Sequence, residues 1–423
     1  MKKLMGALAI TGITGAMLPG MALATNGYFS HGYGIKAKGM AGVGIALPQD
    51  ALAAATNPAG MAFVGDRLDA GLDWFRPIRD SELVPVNAMP GVTGKFNGSG
   101  KKNFFIPEFG YNKMLNPSMA LGVSVYGNGG MNTTYGNGGI PLFNGFSGKK
   151  TSMNMEQLFI APTFAWKLNQ DHAIGASVNL VYQTFELKGL DGFVASSMDP
   201  ARFNDEGKDS STGWGVKIGY TGNLTDAVTV GATYQSRTWM GKFKKYRGLF
   251  ANQGEFDIPE NYGIGIAVKA TPKLTLAADI QRINYGSVDS IANPVSRLLA
   301  GNPLGSDNGP GFGWRDMTVY KLGVSYAWSN ALTLRAGFST TRQPVPKNET
   351  LFNMIAPGVV EKHLTLGATW AVSPSSELTV AYMHAFSKKV KGSGSVPLFP
   401  PGAAEANLKM YQDSLGIAYG IKF

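Results

Sequence analysis

The sequence predicts an all-β fold, a transmembrane antiparallel β-barrel of about fourteen strands, with an N-terminal plug segment in its lumen. Two observations predict the barrel: bulky and small residues alternate in segment after segment from about Arg67 to Phe423, and short connections alternate with long ones. After the N-terminal run, no stretch reaches the ~18 consecutive apolar residues that a membrane helix needs. A chain without such helices crosses a membrane only as a closed barrel, because helices and closed barrels alone satisfy every backbone group without water.

Residues 1–24 have the pattern of a secretory signal peptide. Lys2 and Lys3 form a basic start, an apolar stretch runs from Leu4 to Leu18, and Ala22-Leu23-Ala24 provides an A-x-A cleavage site. Several residues argue against a buried helix here: Gly6, Gly12, Gly15 and Pro19. The mature chain is therefore expected to start at Thr25.

Composition narrows the class of protein. With 16% charged and 11% aromatic residues, the chain is unlike a disordered secreted protein. It has no cysteine, which excludes disulfide frameworks and thiolate chemistry. The formal net charge of +10 suits a surface beside anionic headgroups, so outer-membrane lipid and lipopolysaccharide are expected partners. Such a charge also suits nucleic acid, but the sequence has no nucleic-acid motif.

The last strand shows the alternation most clearly. One face carries Phe423, Ile421, Tyr419, Ile417 and Leu415, and the other carries Lys422, Gly420, Ala418, Gly416 and Ser414. In a water-soluble barrel the bulky face would point inward and overfill the interior, whereas a barrel in lipid points its bulky face outward. Aromatic residues close several strands, as an interfacial girdle would: Trp166, Trp328, Trp370 and Phe423.

The connections indicate which side of the membrane each end faces. Short turns are predicted at residues 116–117, 169–171, 225–226, 271–273, 329–330 and 373–376, and longer stretches near 134–150, 189–211, 242–256, 287–314, 343–357 and 391–405. Short periplasmic turns and long external loops are typical of barrels in the Gram-negative outer membrane. Both ends of the barrel are therefore expected to face the periplasm. Phe423 resembles the terminal aromatic signal that such barrels present to the barrel assembly machinery.

The segment before the first strand, residues 25–65, does not alternate and forms the predicted plug. The chain thus divides into a signal peptide at 1–24, a plug at 25–65 and a barrel at 66–423. Ala51 to Ala55 favours a short helix, which Asn57-Pro58 should end because a residue before proline avoids the helical region. The segment is rich in small residues and too short to form a core of its own, so it is expected to lie inside the barrel.

Three features of the sequence resemble the outer-membrane long-chain fatty acid transport family (FadL-type channels), which includes the toluene and xylene channels. The first is the glycine-rich run Gly39–Gly44, followed by Asp50 and the alanine-rich helix. The second is Asn57-Pro58-Ala59 just before the first strand. The third is the layout of the whole chain, from signal and plug to the terminal phenylalanine. The resemblance spans essentially the mature chain.

The resemblance implies that hydrophobic molecules diffuse through the lumen past the plug. The family's plug motif maps onto Asn57, Pro58 and Ala59. In this family the N-terminal residues reach an internal ligand site, which places Tyr28 and Phe29 near bound substrate. The family also has a kink in the third strand that opens the barrel wall sideways.

The third strand of this chain passes from Leu121–Tyr126 into four residues that are candidates for such an opening: Gly127, Asn128, Gly129 and Gly130. Glycine adopts the backbone angles of an inward kink at little steric cost. The amide of Asn128 is able to satisfy a backbone group that the kink frees. The alternative is an ordinary β-bulge at a barrel rim, where glycines in strands commonly lie.

A basic cluster lies in a predicted external loop: Arg237, Lys242, Lys244, Lys245 and Arg247. The functional hypothesis is capture of carboxylate substrates or of lipopolysaccharide phosphates. The alternative is a solvated basic loop with no binding role. Apolar residues interleave with the charges, a mixture that suits an amphipathic acid: Phe243, Tyr246, Leu249 and Phe250.

The sequence contains no catalytic constellation, neither a G-x-S-x-G elbow nor a P-loop. The four histidines lack metal-ligand spacing: His31, His172, His363 and His384. The protein is therefore predicted not to be an enzyme and to need no cofactor. His384 is in phase with Tyr382 and Phe386, so it is expected to face lipid headgroups near the outer rim.

The predicted function is passive uptake of hydrophobic compounds, such as long-chain fatty acids or similar lipophilic molecules, with lateral exit through the wall. A general porin is one alternative. A porin needs an open, charge-lined lumen, whereas the inward faces here are mainly Gly, Ala, Ser and Thr with few charges. An adhesin-type barrel is the other alternative, and it would normally have much larger external loops.

Overall fold

The computed structural model describes residues 25–85, 93–136, 138–397 and 404–423. Within these ranges fourteen long strands form one antiparallel sheet, in which each strand pairs with its neighbour along the chain and the first strand pairs with the last. The sheet is a closed barrel, which confirms the predicted fold class. The predicted signal peptide, residues 1–24, lies outside the described residues.

The long strands are β1 (Arg67–Pro85), β2 (Phe104–Asn116), β3 (Met119–Tyr135), β4 (Thr151–Lys167), β5 (His172–Lys188), β6 (Asp209–Asn223), β7 (Val228–Gln235), β8 (Asn261–Thr271), β9 (Leu274–Ile283), β10 (Met317–Ala327), β11 (Leu332–Thr341), β12 (Lys362–Ser373), β13 (Ser376–Val390) and β14 (Ala404–Lys422). Two short strands extend the sheet: Gly94–Asn97 pairs with β1, and Trp239–Met240 pairs with β6.

The helices are short, and none of them is part of the barrel wall. The α-helices are Ile35–Lys38, Ala53–Thr56, Ala251–Gly254, Asp289–Ala292 and Ser296–Leu299. The 3-10 helices are Pro58–Phe63, Asp191–Ser196, Pro200–Arg202, Lys244–Tyr246, Tyr285–Ser287, Lys347–Glu349 and Phe352–Met354. None of the helices in the described ranges is long and apolar enough to cross a membrane.

The connections between strands differ in length at the two ends of the barrel. At the end where β1 starts and β14 stops, the strands are joined by turns of two to four residues. At the other end the loops are longer, for example residues 236–260 and 284–316. The predicted alternation of short turns and long loops is confirmed. In barrels of the outer membrane the short turns face the periplasm and the long loops face outward, and the two ends of this barrel are named accordingly.

The outward face of the barrel carries bulky apolar side chains. In β14, Leu415, Ile417 and Tyr419 are 50%, 50% and 44% exposed, while the residues between them are glycine or alanine. The predicted girdle residues are exposed as well: Trp166, Trp328, Trp370 and Phe423. This outward apolar surface is what a barrel in lipid requires.

The inward face differs from the prediction of small residues with few charges. Four charged residues of β1 point inward and are buried: Arg67, Asp69, Asp73 and Arg79. Other strands add buried inward charges, such as Glu108, Lys217, Asp279 and Lys321. The physical reason is that most of these charges bind the N-terminal segment rather than solvent. The expectation of a nearly uncharged inward face was wrong.

The N-terminal segment, residues 25–65, contacts the inward faces of strands on opposite sides of the barrel. Its Ala51 amide donates to Asp69 of β1 at 2.9 Å, and its Ala41 amide donates to Thr365 of β12 at 2.8 Å. Gly44 donates to Asp279 of β9 at 2.8 Å. The segment is therefore surrounded by the wall, and nearly all of its residues are buried.

Candidate functional site

The barrel wall has a gap between β2 and β3. These two strands pair from the periplasmic turn only as far as Phe109 and Val125. On its other side, β2 pairs with β1 up to Phe104 opposite Phe75. Beyond Val125 the edge of β3 therefore has no partner in β2, although the strand continues to Tyr135.

The glycine-rich part of β3 bends inward at this gap. Between Tyr126 and Thr133 every residue is buried, so the alternation of exposed and buried residues stops. The pairing of β3 with β4 shifts register between Gly127 and Gly129, which leaves Asn128 as the extra residue of a β-bulge. The four residues predicted for a lateral opening therefore lie at the gap between β2 and β3.

The N-terminal segment occupies the free edge of β3. Ser30 donates its backbone N–H to the carbonyl of Asn128 at 2.8 Å, and Gly130 donates its own N–H to the carbonyl of Tyr28 at 3.1 Å. A Cβ atom at Gly129 would lie 2.1 Å from the Tyr28 carbonyl oxygen, so only glycine permits this close approach. Backbone groups that the kink frees are satisfied by the chain's own N-terminus.

The side chain of Asn128 does not serve the freed backbone groups, contrary to the sequence-based expectation. Its Oδ1 accepts from the Tyr33 hydroxyl at 2.7 Å, and its Nδ2 donates to Gln157 of β4 at 3.2 Å. The side chain reaches these groups because the bulge turns it into the lumen. Asn128 therefore ties the bulge to both the N-terminal segment and β4.

Tyr28 and Phe29 lie at the centre of a buried aromatic cluster. The Tyr28 ring is 5.3 Å from Tyr285, 6.0 Å from Trp314 and 6.2 Å from Phe256, measured between ring centroids. The Tyr285 hydroxyl donates to the carbonyl of Asn26 at 2.5 Å, which fixes the N-terminus against this loop. The polar atoms of Tyr285 and Trp314 have partners within the protein, so the contacts of these two rings with Tyr28 are between apolar ring surfaces.

A chain of aromatic rings continues from this cluster toward the external loops. Phe256 is 5.0 Å from Phe250, which is 4.7 Å from Phe185, which is in turn 4.7 Å from Tyr246. Burial raises the pKa of the Tyr246 phenol, so this group remains a hydrogen-bond donor to the Gly207 carbonyl at 2.7 Å. A mainly apolar cavity adjoins these rings, lined by Phe185, Leu190, Leu249, Phe250, Leu304 and Phe352.

The predicted basic cluster lies directly above these rings. Its interleaved apolar residues are buried, while Lys242, Lys244 and Arg247 are exposed. Four of its five cations have partners within the loops: Arg237 lies 3.6 Å from Asp257, Lys242 donates to Gln253 Oε1 at 3.4 Å, Lys245 donates to the Lys208 carbonyl at 3.0 Å, and Arg247 bonds to Asp199. Burial raises the pKa of the Asp257 carboxyl beside Arg237. These contacts give much of the cluster a structural role.

Arg79 is a functional candidate that sequence analysis missed. It is only 2% exposed, it lies on the inward face of β1 beside the gap, and it lines a small cavity with Gly130, Met131 and Trp314. Its guanidinium donates to the carbonyls of Asn132 and Lys101, while its Nε has no partner. Among the described residues no carboxylate pairs with it. Arg79 alternates in phase with Phe75 and Ser81 on the inward face of β1, and this alternation is the sequence pattern that could have identified it.

The Asn57-Pro58-Ala59 element packs against β5 and β6. The Asn57 Nδ2 group donates to the Tyr220 carbonyl at 2.9 Å and to Ile45 O at 2.7 Å, and its Oδ1 accepts from Ala59 N at 3.1 Å. Asn57 thereby caps the 3-10 helix that begins with Pro58. A Cβ at Gly219 of β6 would lie 1.9 Å from Asn57 Oδ1, so the wall is glycine where the element approaches.

Two histidines that are far apart in sequence lie together. The rings of His31 and His363 stack with centroids 6.1 Å apart, and both are buried between the N-terminal segment and β12. His384 instead lies on the outward side of β13, where its Nδ1 is 2.8 Å from Asp413. In the part of the chain that the structure describes, no group of three or more His, Cys, Asp and Glu residues is arranged to hold a metal ion.

The family model described as outer membrane protein transport protein (OMPP1/FadL/TodX) matches residues 18–396. No curated protein matches the chain. Among solved structures, the toluene transporter TodX of P. putida is 20% identical with a TM-score of 0.70, and the match covers 93% of this chain and 99% of that one.

Two further solved structures have the same fold. A FadL homologue of Pseudomonas aeruginosa is 17% identical with a TM-score of 0.70, over 94% of this chain and 100% of that one. The toluene transporter TbuX of Ralstonia pickettii is 18% identical with a TM-score of 0.64, over 93% and 99%. The family match extends over most of the barrel, so the chain belongs to the outer membrane protein transport family (OMPP1/FadL/TodX) and resides in the outer membrane.

Proposed function

We propose that the protein is a channel for passive uptake of hydrophobic compounds, which leave sideways through the gap between β2 and β3. The observation that carries this proposal is the continuous series of aromatic rings, which starts below the external loops and ends at Tyr28 beside the gap. Membership of a transport family and the toluene channels among its structural relatives support the proposal.

Lateral exit is favoured by the physical chemistry of the cargo. A hydrophobic molecule gains roughly 25 cal/mol for each Å² of apolar surface removed from water. A route straight into the periplasm would lose this gain, whereas a gap in the wall releases the molecule into the membrane. Unpaired backbone groups in lipid each cost several kcal/mol, and the bonds from Tyr28 and Ser30 to β3 avoid that cost.

The N-terminal segment acts, in this proposal, as a plug that excludes polar solutes. Lys38 pairs with Asp73 at 2.9 Å and with Glu108 at 3.3 Å, and Lys36 pairs with Glu377. The Asn57-Pro58-Ala59 element adds hydrogen bonds to β6. These contacts support a segment that stays in place while substrate passes beside Tyr28 and Phe29.

The substrate class that we favour is a long-chain fatty acid or a similar lipophilic acid. Arg79 supports this choice, since a buried cation without an acidic partner is costly and a carboxylate would compensate it. The exposed Lys242 and Lys244 above the aromatic rings would attract the same group during capture. A neutral aromatic hydrocarbon is the second candidate, supported by the aromatic character of the cluster around Tyr28.

Liposomes that contain only the purified protein test this proposal. Oleate and toluene, each supplied on one side, should reach the liposome membrane and interior down their gradients faster than in protein-free liposomes. No energy source and no periplasmic partner should be needed. Strict dependence on such a partner would contradict passive uptake. A general porin, by contrast, would pass small sugars at a comparable rate.

A further inference from the structure

We infer that the outer rim of the barrel at β9–β13 carries a binding site for the phosphate groups of an outer-leaflet glycolipid of the lipopolysaccharide type. The site is a concavity on the outside of the wall, formed by the extracellular ends of these strands and the loops that follow them. Seven cationic residues line it: Arg282, Arg315, Arg342, Lys347, Lys388, Lys389 and Lys391. None of them lines the apolar cavity below the external loops or the cavity beside Arg79.

The concavity lies where lipid headgroups meet the barrel. Arg282 is opposite Thr318 in the β9–β10 ladder, and Tyr320 is opposite Thr340 in the β10–β11 ladder, so these residues share the outward face. One step closer to the membrane, this face carries exposed apolar side chains: Ile280, Phe338, Leu364 and Phe386. A lipid whose acyl chains cover these residues would place its phosphates at the cations above them.

The positive charge of this site is only partly balanced within the protein. Two acidic residues belong to the concavity, and each pairs with one cation there: Asp316 with Arg282 at 2.8 Å, and Glu361 with Lys388. Lys389 pairs with Glu82 at 3.1 Å. Among the described residues, the remaining four cations form no ion pair: Arg315, Arg342, Lys347 and Lys391. The undescribed stretches contain no Asp or Glu in their sequence, so they hold no acid for these cations.

Phosphate is the anion that fits such a site. Arginine guanidinium groups bind phosphate oxygens through paired, charge-assisted hydrogen bonds, and the concavity holds three arginines as well as four lysines. Each cation near an anionic membrane surface adds to the attraction. A carboxylate cargo is disfavoured because the site opens outward to lipid and is separate from the aromatic rings that lead to Tyr28.

The test removes the four unpaired cations together, as Arg315→Gln, Arg342→Gln, Lys347→Gln and Lys391→Gln. A matched control removes four exposed lysines elsewhere: Lys95→Gln, Lys102→Gln, Lys149→Gln and Lys150→Gln. Detergent-purified proteins are titrated with lipopolysaccharide, with enzymatically dephosphorylated lipopolysaccharide and with inorganic phosphate. Heat modifiability on gels verifies folding. If the quadruple variant does not fold, the loop pair Arg342→Gln and Lys391→Gln replaces it.

Lipopolysaccharide binding should weaken at least ~10-fold in the quadruple variant and should be unchanged in the control. Dephosphorylated lipopolysaccharide should bind wild type as weakly as intact lipopolysaccharide binds the variant, and higher salt should weaken wild-type binding. Undiminished binding by a folded variant would overturn the site. An equal loss of lipopolysaccharide binding in the variant and the control would show a general effect of charge and would also overturn the site. If inorganic phosphate alone bound tightly, the proposal that the phosphate belongs to a glycolipid would be wrong. None of these outcomes depends on uptake, so the proposed channel function is judged separately.

Discussion

The N-terminal segment fills the periplasmic half of the lumen, where ion pairs and hydrogen bonds fix it to the wall. The outer half is filled instead by aromatic side chains from the loops and from the outer end of β5. In the periplasmic half, Lys38 contacts Asp73 and Glu108, and the carboxylate of Asp279 accepts from two backbone amides. In the outer half, Phe185, Phe250 and Phe256 contact one another through their rings.

In the channel that we propose, this difference closes the barrel to water-soluble molecules and opens it to hydrophobic ones. Charge-assisted hydrogen bonds are directional, and breaking one leaves a buried charge without a partner. Contacts between aromatic rings are less directional, and an apolar molecule that slips between them replaces similar contacts with its own. The two regions meet at Tyr28 and Phe29, next to the gap.

Removal of the N-terminal segment should have the largest effect on the difference between the two halves of the lumen. Deletion of residues 26–56 should leave a folded, heat-modifiable barrel, because the inward charges that lose their partners become hydrated. Permeability of proteoliposomes to a monosaccharide should rise by roughly tenfold or more, since water fills a lumen lined by charges. Swelling assays on matched protein amounts measure this rate. Unchanged permeability would show that residues 25–65 do not act as a plug.

Closing the gap should have the next largest effect. Replacing Gly127, Gly129 and Gly130 by valine favours a regular strand, and the new side chain at 129 would expel the Tyr28 carbonyl from the edge of β3. Uptake of oleate should fall at least ~10-fold, because the exit no longer forms. The matched control is Gly136→Val, where an added Cβ meets no atom within 4 Å.

For the triple variant, surface exposure and heat modifiability must equal those of wild type before uptake is compared. Full uptake by this correctly folded protein would rule out exit between β2 and β3. If uptake also fell in the Gly136→Val control, the loss would come from valine substitution near β3 in general and not from closing the gap.

A smaller effect is expected at Arg79, because it concerns one contact with the substrate. Arg79→Leu should lower oleate uptake by about tenfold, the usual size of a lost hydrogen bond to a charged group, while toluene uptake stays unchanged. Arg79→Lys retains the charge and should recover part of the oleate rate. Equal losses for both substrates would mean that Arg79 supports the wall and does not bind a carboxylate.

The smallest effect is expected at Asn57, which fixes one element of the N-terminal segment. Asn57→Ala loses the hydrogen bonds to Tyr220 and Ile45 as well as the cap on Ala59, at a cost of about 1–3 kcal/mol. Asn57→Ser keeps a hydroxyl that can cap and should fall between wild type and alanine. Thermal unfolding and monosaccharide leak measure the two consequences, and a leak equal to that of the 26–56 deletion would contradict the modest role assigned here.

The strands were predictable because alternation is a local property of the chain. Leu415, Ile417 and Tyr419 alternate with small residues, and this pattern alone predicts an outward face. The two-residue turn after Asn116 is likewise predicted from local sequence without tertiary information. The gap in the third strand was expected from the resemblance to the family. The three glycines in four residues agree with it, because glycine weakens a strand wherever it lies.

The contacts inside the lumen were not predictable from local patterns. Tyr28 meets Tyr285 across 257 residues of sequence, and Lys36 meets Glu377 across 341. Such contacts depend on the registers of many strand pairs and on how deep the N-terminal segment sits. The inward charges were missed for the same reason, because the partner of Asp73 is Lys38 of the N-terminal segment, and only the tertiary structure brings the two together.

The ladder between β1 and β14 has a consequence for how the molecule is made. It runs without interruption from Arg67 opposite Lys422 to Pro85 opposite Ala404, and it joins the two ends of the sheet. Residues 25–65 directly precede β1, so the strand that closes the barrel also fixes where the N-terminal segment enters the lumen. Closure of this ladder therefore joins the first and last strands of the barrel in one long-range step, and such steps are slow.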